Sequence, residues 1–144
     1  MRRTDMGTPG LNEVLHGGLF EGQTAIVSGG PGTGKTILSL QFLAAADGSG
    51  LYIPFEEREE EIRRNAANLG IDLGNVTILD MSADESRFFG GQEAYTIFPG
   101  DEVEGEEIIG TIAEEINEIQ PDRLVIDPLS ELRSLLPDEY QFRR

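Results

Sequence analysis

The stretch Ser28–Thr36 reads SGGPGTGKT, and it carries the only lysine in a chain of 144 residues. Four of its nine positions are glycine, which lets the backbone curl so that successive N–H groups face one point that a Cβ atom would obstruct. A helix predicted to begin near Lys35 adds unpaired N–H groups and the positive end of its dipole. The stretch therefore predicts a site for an anion with several oxygens, such as a phosphate group.

The spacing within this stretch matches the P-loop pattern G-x-x-x-x-G-K-[ST]. In such a loop the lysine ammonium reaches the β and γ phosphates of a nucleotide, and the hydroxyl of Thr36 ligates Mg²⁺. Arginine has a broad planar fork that does not fit so tight a cradle, which explains why a chain that otherwise avoids lysine keeps Lys35. The residues predicted to bind the phosphates are Gly29, Gly30, Pro31, Gly32, Thr33, Gly34, Lys35 and Thr36.

A second ligand for the metal is predicted at Asp127. The run RLVID places this carboxylate after three apolar residues, at the end of a predicted buried strand. On its own, an aspartate before Pro128 is more often the start of a turn, but beside a P-loop the magnesium interpretation is favoured. We therefore expect Thr36 and Asp127 to hold Mg²⁺ together with ATP.

Two glutamates are candidates for activating the water that attacks the nucleotide. Glu56 and Glu57 follow the predicted strand Leu51–Phe55 directly, at the edge where ligands bind in doubly wound sheets. The competing interpretation is a charged helix start, because EEREEEIRR contains Glu–Arg pairs at i,i+4 spacing. We assign residues 58–64 to that helix, with the pairs Glu59–Arg63 and Glu60–Arg64, and keep Glu56 and Glu57 as catalytic candidates alongside Lys35.

Apolar runs and turn signals alternate in a strand–helix rhythm, which predicts an α/β fold with a mostly parallel sheet flanked by helices. The predicted strands are Thr24–Ser28, Leu51–Phe55, Val76–Met81 and Arg123–Asp127. The predicted helices are Pro9–His16, Lys35–Ala46, one with Ile62, Ala66 and Leu69 on its apolar face, one with Ile108, Ile109, Ile112, Ile116 and Ile119, and a short one that ends at Leu136. The stretch Ser82–Gly105 is predicted to be an irregular loop that packs its aromatic side chains Phe88, Phe89, Tyr95 and Phe98 on the domain, with a lid as the alternative.

The charge balance excludes some partners. Twenty-seven acidic and eleven basic residues give a formal net charge of -16, so nucleic-acid binding by this chain is not expected. Many acidic groups with almost no lysine indicate a halophilic source, where salt screens the repulsion. The chain has no cysteine, no membrane-spanning run and no leader-like start, so we expect a cytoplasmic protein without disulfides.

The opening GTPGLNEVLHGGLFEGQTAIVSGGPGTGKT, followed by FEE, RRNAANLGIDL and RLVIDPLSEL, resembles the RecA superfamily, most closely the KaiC-like, RadA-related ATPases. This resemblance implies that Glu56 is the catalytic base with Glu57 as its frequent partner, and that Asp127 is the Walker B aspartate. It also implies a homo-oligomer or assembly with a related RecA-like subunit. Cores of that family continue with further strands, one of them between the P-loop strand and the Walker B strand. We therefore expect residues 1–144 to be a single, partial domain whose P-loop strand is left exposed.

Two functions remain open at this point. The first is an oligomeric ATPase that hydrolyses ATP with Mg²⁺. The alternative is a nucleotide-sensing or scaffold module with little or no turnover, because part of the core is missing. A DNA recombinase is disfavoured by the acidic charge, and a GTPase by the absence of any second lysine for an Asn-Lys-x-Asp segment.

Overall fold

The computed structural model describes residues 1–82 and 100–134, and these residues form an α/β fold as predicted. The strands are β1 (Arg3–Thr4), β2 (Leu19–Phe20), β3 (Gly50–Pro54), β4 (Val76–Ile78) and β5 (Arg123–Asp127). The helices are α1 (Pro9–Val14), α2 (Lys35–Ala44), α3 (Glu59–Asn68), α4 (Gly100–Ile119) and α5 (Leu129–Ser134). None of the described helices combines the length and the apolar character that crossing a bilayer would need.

The central sheet consists of three parallel strands in the order β4-β3-β5. Strand β3 lies in the middle, and all five of its residues are buried. A parallel strand that is covered on both faces needs a continuous run of packing side chains, and GLYIP supplies one. The register sets Tyr52 beside Val125 and Pro54 beside Asp127, so the carboxyl ends of β3 and β5 meet at one edge.

The side chains of β3 alternate between two hydrophobic clusters on opposite faces of the sheet. The cluster on the face covered by α2 and α3 includes Leu40, Leu43, Tyr52, Ile62, Ala66 and Val76. The cluster on the face covered by α4 and α5 includes Leu51, Ile53, Met81 and Ile112, with Ile108, Ile116 and Ile119 packed against it. Because Tyr52 lies on the α2 face, its phenol is directed toward the helix that begins at the glycine loop.

The predicted strand Thr24–Ser28 is not formed, and this prediction is wrong for the described structure. The segment is exposed throughout, and its apolar side chains Ile26 and Val27 are 75% and 50% exposed. A strand exists only where a neighbour supplies ladder hydrogen bonds, and no strand in residues 1–82 or 100–134 pairs with this one. The exposure itself agrees with the expectation from the family resemblance.

The short strands β1 and β2 were not predicted, and β5 has the predicted bounds. The other elements agree with the predictions in type and differ at one or both ends, where assignments shift by a few residues. Helix α4 begins at Gly100, so the last part of the predicted loop Ser82–Gly105 is helical. The four aromatic residues expected in that loop lie outside the described residues. Leu69 was predicted on the apolar face of α3 but is 54% exposed, because it follows the last helical residue, where the chain turns away from the core. The pair Glu59–Arg63 forms at 2.8 Å, and Glu60–Arg64 does not.

Asp80 joins the end of β4 to the start of α3. Its Oδ2 accepts from the amide of Glu59 at 2.8 Å, and its Oδ1 accepts from the amide of Ser82 at 2.9 Å. Burial works against the charged form, but hydrogen bonds from Ser82 and Glu59 outweigh it and hold the pKa of Asp80 below its usual 3.8. Since the folded state lowers this pKa, the stabilisation is present above the unfolded value and is lost as the pH falls through the folded value.

We predict that Asp80→Ala lowers the free energy of unfolding by about 1 kcal/mol at neutral pH, as removal of a helix-capping acceptor does. Urea unfolding of both proteins at neutral pH and below pH ~4 measures the difference, which should shrink in acid. A difference that stays constant across this range would show that the carboxylate charge contributes nothing.

Candidate nucleotide-binding site

Lys35 is held at the centre of the glycine loop. Its Nζ donates to the carbonyl oxygens of Gly29 at 2.8 Å and of Gly30 at 2.7 Å. The hydroxyl of Thr33 donates to the same Gly30 carbonyl at 2.8 Å. These bonds connect residues at the two ends of the loop and hold the only lysine ammonium group of the chain beside the loop backbone.

The glycines are needed by the geometry of the loop. A Cβ atom on Gly29 would lie 2.7 Å from the hydroxyl oxygen of Thr33, which is closer than real Cβ contacts. Gly32 and Gly34 have φ angles of +70° and +93°, in the left-handed region that favours glycine. In the described part of the chain, the N–H groups of Gly29, Gly30 and residues 32–34 donate no hydrogen bond to the protein, and Pro31 has no N–H to donate. The loop is therefore a curl of free N–H groups around a positive charge, which fits a phosphate chain.

The side chain of Asp127 connects α2, the helix that follows the glycine loop, to strand β5 of the sheet. Its Oδ2 accepts a hydrogen bond from the Thr36 hydroxyl at 2.8 Å and another from the Tyr52 phenol at 2.8 Å. Alternation along β5 places Asp127 on the same face as Val125, which packs against the α2-side cluster. Thr36 is the second residue of α2, so this face of β5 brings the predicted metal ligands together.

Tyr52 is part of this site and was missed in the sequence analysis. Burial, followed by the hydrogen bond to Asp127 and the charge of that carboxylate, raises the pKa of Tyr52 well above its usual value. The phenol therefore keeps its proton and donates. The alternation of side chains in LYIPF indicates that Tyr52 and Pro54 lie on the same face of β3. In the structure, Pro54 lies opposite Asp127. A phenol is long enough to reach such a diagonal neighbour.

Glu56 and Glu57 lie just beyond the carboxyl end of β3. The amide of Phe55 donates to the Asp127 carbonyl at 3.0 Å, which continues the pairing of the two strands to the residue before Glu56. Both glutamates line a small cleft together with Thr36 and Asp127, where Glu56 is exposed and Glu57 is half-buried. The structure thus brings the two candidate bases to the same edge as the two candidate metal ligands.

The ligand types at this edge fit Mg²⁺. A hydroxyl and a carboxylate are the hard oxygen ligands that this ion prefers, and it is usually held by one or two carboxylates together with nucleotide phosphates. Within the described residues, no cluster of three or more His, Cys, Asp or Glu side chains could hold a metal by protein groups alone.

A parallel α/β sheet with a glycine loop before α2 and an aspartate at the end of a buried strand defines the class of P-loop nucleotide-binding proteins. The chain matches the family described as KaiC ATPase over residues 4–144. It therefore belongs to this family of P-loop ATPases within the RecA superfamily, which confirms the resemblance seen in the sequence.

Two archaeal relatives are similar to almost the whole chain. A UPF0273 protein of Pyrococcus horikoshii is 35% identical over 140 residues, which cover 91% of this chain and 56% of the relative. A UPF0273 protein of Methanopyrus kandleri is 33% identical over 141 residues, which cover 92% of this chain and 55% of the relative. The circadian clock oscillator protein KaiC of a Picosynechococcus strain is 46% identical over 85 residues, 52% of this chain and 16% of that protein. The chain thus spans about half the length of the archaeal relatives it matches.

We predict that Gly29→Ala weakens binding of a fluorescent ATP analogue by about tenfold, equivalent to about 1.4 kcal/mol, because the new methyl group displaces Thr33 from the loop. The matched control is Gly30→Ala, whose Cβ atom would meet only the Thr33 methyl group at 4.0 Å. Titration of both variants measures the effect. Equal affinities for the two would mean that the close packing of Gly29 does not shape the binding site.

Proposed function

We propose that this chain binds ATP and Mg²⁺ at the glycine loop and hydrolyses the ATP. The observation that carries the proposal is the 2.8 Å hydrogen bond between Thr36 and Asp127, which joins the end of the loop to the sheet edge beside Glu56 and Glu57. Phosphate-binding amides, two metal ligands and two candidate bases thereby meet at one edge. These are the parts that phosphoryl transfer to water needs.

Each of these residues has a separate role in binding. The N–H groups of Gly29, Gly30 and residues 32–34 and the ammonium of Lys35 hold the phosphate oxygens, and these fixed positive groups stabilise the negative charge that develops there. The hydroxyl of Thr36 donates a hydrogen bond to Asp127, which leaves the lone pairs of the hydroxyl oxygen available to the metal. When bound, Mg²⁺ offsets the negative charge of the phosphates.

Glu56 is the proposed general base, with Glu57 as its partner. Glu56 accepts a proton from a water molecule while the water oxygen bonds to the γ phosphorus and the bond from that phosphorus to the β–γ bridging oxygen breaks. The products are ADP and inorganic phosphate. Exposure of Glu56 at the cleft allows both the entry of this water and the return of the proton to solvent.

The alternative function is a module that binds the nucleotide but turns it over little or not at all. The exposed segment Thr24–Ser28 favours it, because the chain leading into the loop has no sheet neighbour within the described residues. A loop anchored only on its α2 side holds the phosphates less rigidly, and catalysis suffers from small misplacements more than binding does.

Assembly with further copies of the chain, or with a related RecA-like subunit, is the part of the proposal that depends on family membership. Light scattering with and without Mg-ATP tests it directly. A high-salt source is proposed from the net charge of -16 and the scarcity of lysine, which also disfavour DNA as a partner. A cytoplasmic location remains a proposal from the sequence.

We predict that Glu56→Gln reduces phosphate release at least about hundredfold, the lower range for loss of a general base, while ATP affinity stays within about twofold. The matched control is Glu60→Gln, which removes the same charge from the exposed face of α3 and should leave the rate unchanged. A phosphate-release assay and an ATP titration measure the two effects. A parent that binds ATP without releasing phosphate, or a Glu56→Gln variant as fast as the parent, would favour the alternative function.

A further inference from the structure

The two oxygens of the Asp127 carboxylate differ in their hydrogen bonds. Thr36 and Tyr52 donate from two different elements, α2 and β3, yet both use the same oxygen, Oδ2. Neither donor uses Oδ1. An exposed aspartate rotates freely about its terminal torsion, whereas two donors on one oxygen fix the plane of the carboxylate.

The hydrogen bonds from Tyr52 and Thr36 come from different elements, and the two side chains also interact with each other. Thr36 reaches Asp127 from the start of the loop helix, so its bond depends on the position of the loop. Tyr52 reaches Asp127 from the neighbouring strand and is only 1% exposed, with its ring packed among Leu40, Leu43 and Val76. Packing of this kind locks the rotamer of the phenol and keeps its hydroxyl beside Asp127.

We propose that Tyr52 is a positioning residue for the metal site: by holding Oδ2 of Asp127, it fixes the plane of the carboxylate and leaves Oδ1 available to a metal ion. Tyr52 lines the same cleft as Thr36 and Asp127, and its proposed role is exerted through Asp127. Groups that orient a metal ligand in this way commonly contribute about ten- to hundredfold to metal affinity. The inference rests on the proposed function, because it concerns the same Mg²⁺ ligand.

The test substitutes Tyr52→Phe, which removes one oxygen and keeps the packed ring. Mn²⁺ serves as the probe in place of Mg²⁺, and electron paramagnetic resonance counts the free ion during titration of the protein with ADP. We expect Mn²⁺ to bind to the ADP complex about tenfold more weakly in Tyr52→Phe than in the parent. Binding of ADP without metal, measured in EDTA, should be unchanged, which separates positioning of Asp127 from general damage to the site.

Ser39→Ala is the matched control. Its hydroxyl is also half-buried near the loop, but it donates to the carbonyl of Lys35 at 3.0 Å and makes no contact with Asp127. We expect this variant to bind Mn²⁺ as the parent does. Equal Mn²⁺ affinity in the parent and in Tyr52→Phe, or an equal loss in Tyr52→Phe and Ser39→Ala, would overturn the role of Tyr52 alone. A parent that binds ADP equally well with Mn²⁺ and in EDTA would instead overturn the proposed function.

A second measurement covers the case in which Tyr52→Phe does not fold. Tyrosine labelled with ¹³C at Cζ gives one resonance for each of the three tyrosines, and replacing Tyr95 and Tyr140 by Phe in turn assigns the signal of Tyr52. Since this carbon reports the hydrogen bonding of the phenol, its resonance should shift when Mg²⁺ is added to the ADP complex. A Tyr52 signal that does not respond to Mg²⁺ would contradict the inference.

Discussion

The hydrogen bond from Thr36 to Asp127 is the connection on which the site depends. It joins the helix that begins at the glycine loop to the last residue of β5, across 91 positions of sequence. Together with the packing of α2 on the sheet, it fixes the glycine loop relative to the carboxyl edge of the sheet, where Glu56 and Glu57 lie.

The parallel register of β3 and β5 provides the second constraint. Because Pro54 lies opposite Asp127, the residues that follow Pro54 emerge beside this candidate metal ligand. Tyr52, two positions before Pro54, donates to the same carboxylate. One strand therefore supplies the candidate bases from its end and a buried phenol from its middle. By contrast, the segment Thr24–Ser28 before the loop is exposed and pairs with no described strand. Within the described residues, the loop is therefore connected to the sheet only through α2.

Local patterns in the sequence were sufficient where a residue's role depends on its neighbours in the chain. The bounds of β5 were predicted as Arg123–Asp127 and found there, because an apolar run followed by Asp-Pro leaves little choice. The prediction of a strand at Thr24–Ser28 failed because an apolar β-rich run does not show whether a neighbouring strand is present, and no strand in the described residues pairs with this segment. The prediction for Leu69 was wrong because the helical spacing of apolar residues continues in the sequence past the last residue of the helix. Tyr52 was missed because its role depends on the register between two strands, which neither strand shows alone.

The central claim is that the free N–H groups of the loop and the ammonium group of Lys35 form a binding site for a triphosphate. Removal of the ammonium group tests this claim most directly. Titration of Lys35→Ala with a fluorescent ATP analogue should show affinity lowered by at least about tenfold, or about 1.4 kcal/mol, relative to the parent. Arg64→Ala removes a positive charge from exposed α3 and should bind as the parent does. Undiminished affinity in Lys35→Ala would contradict the account, since the nucleotide would then have to bind by contacts other than those of this loop.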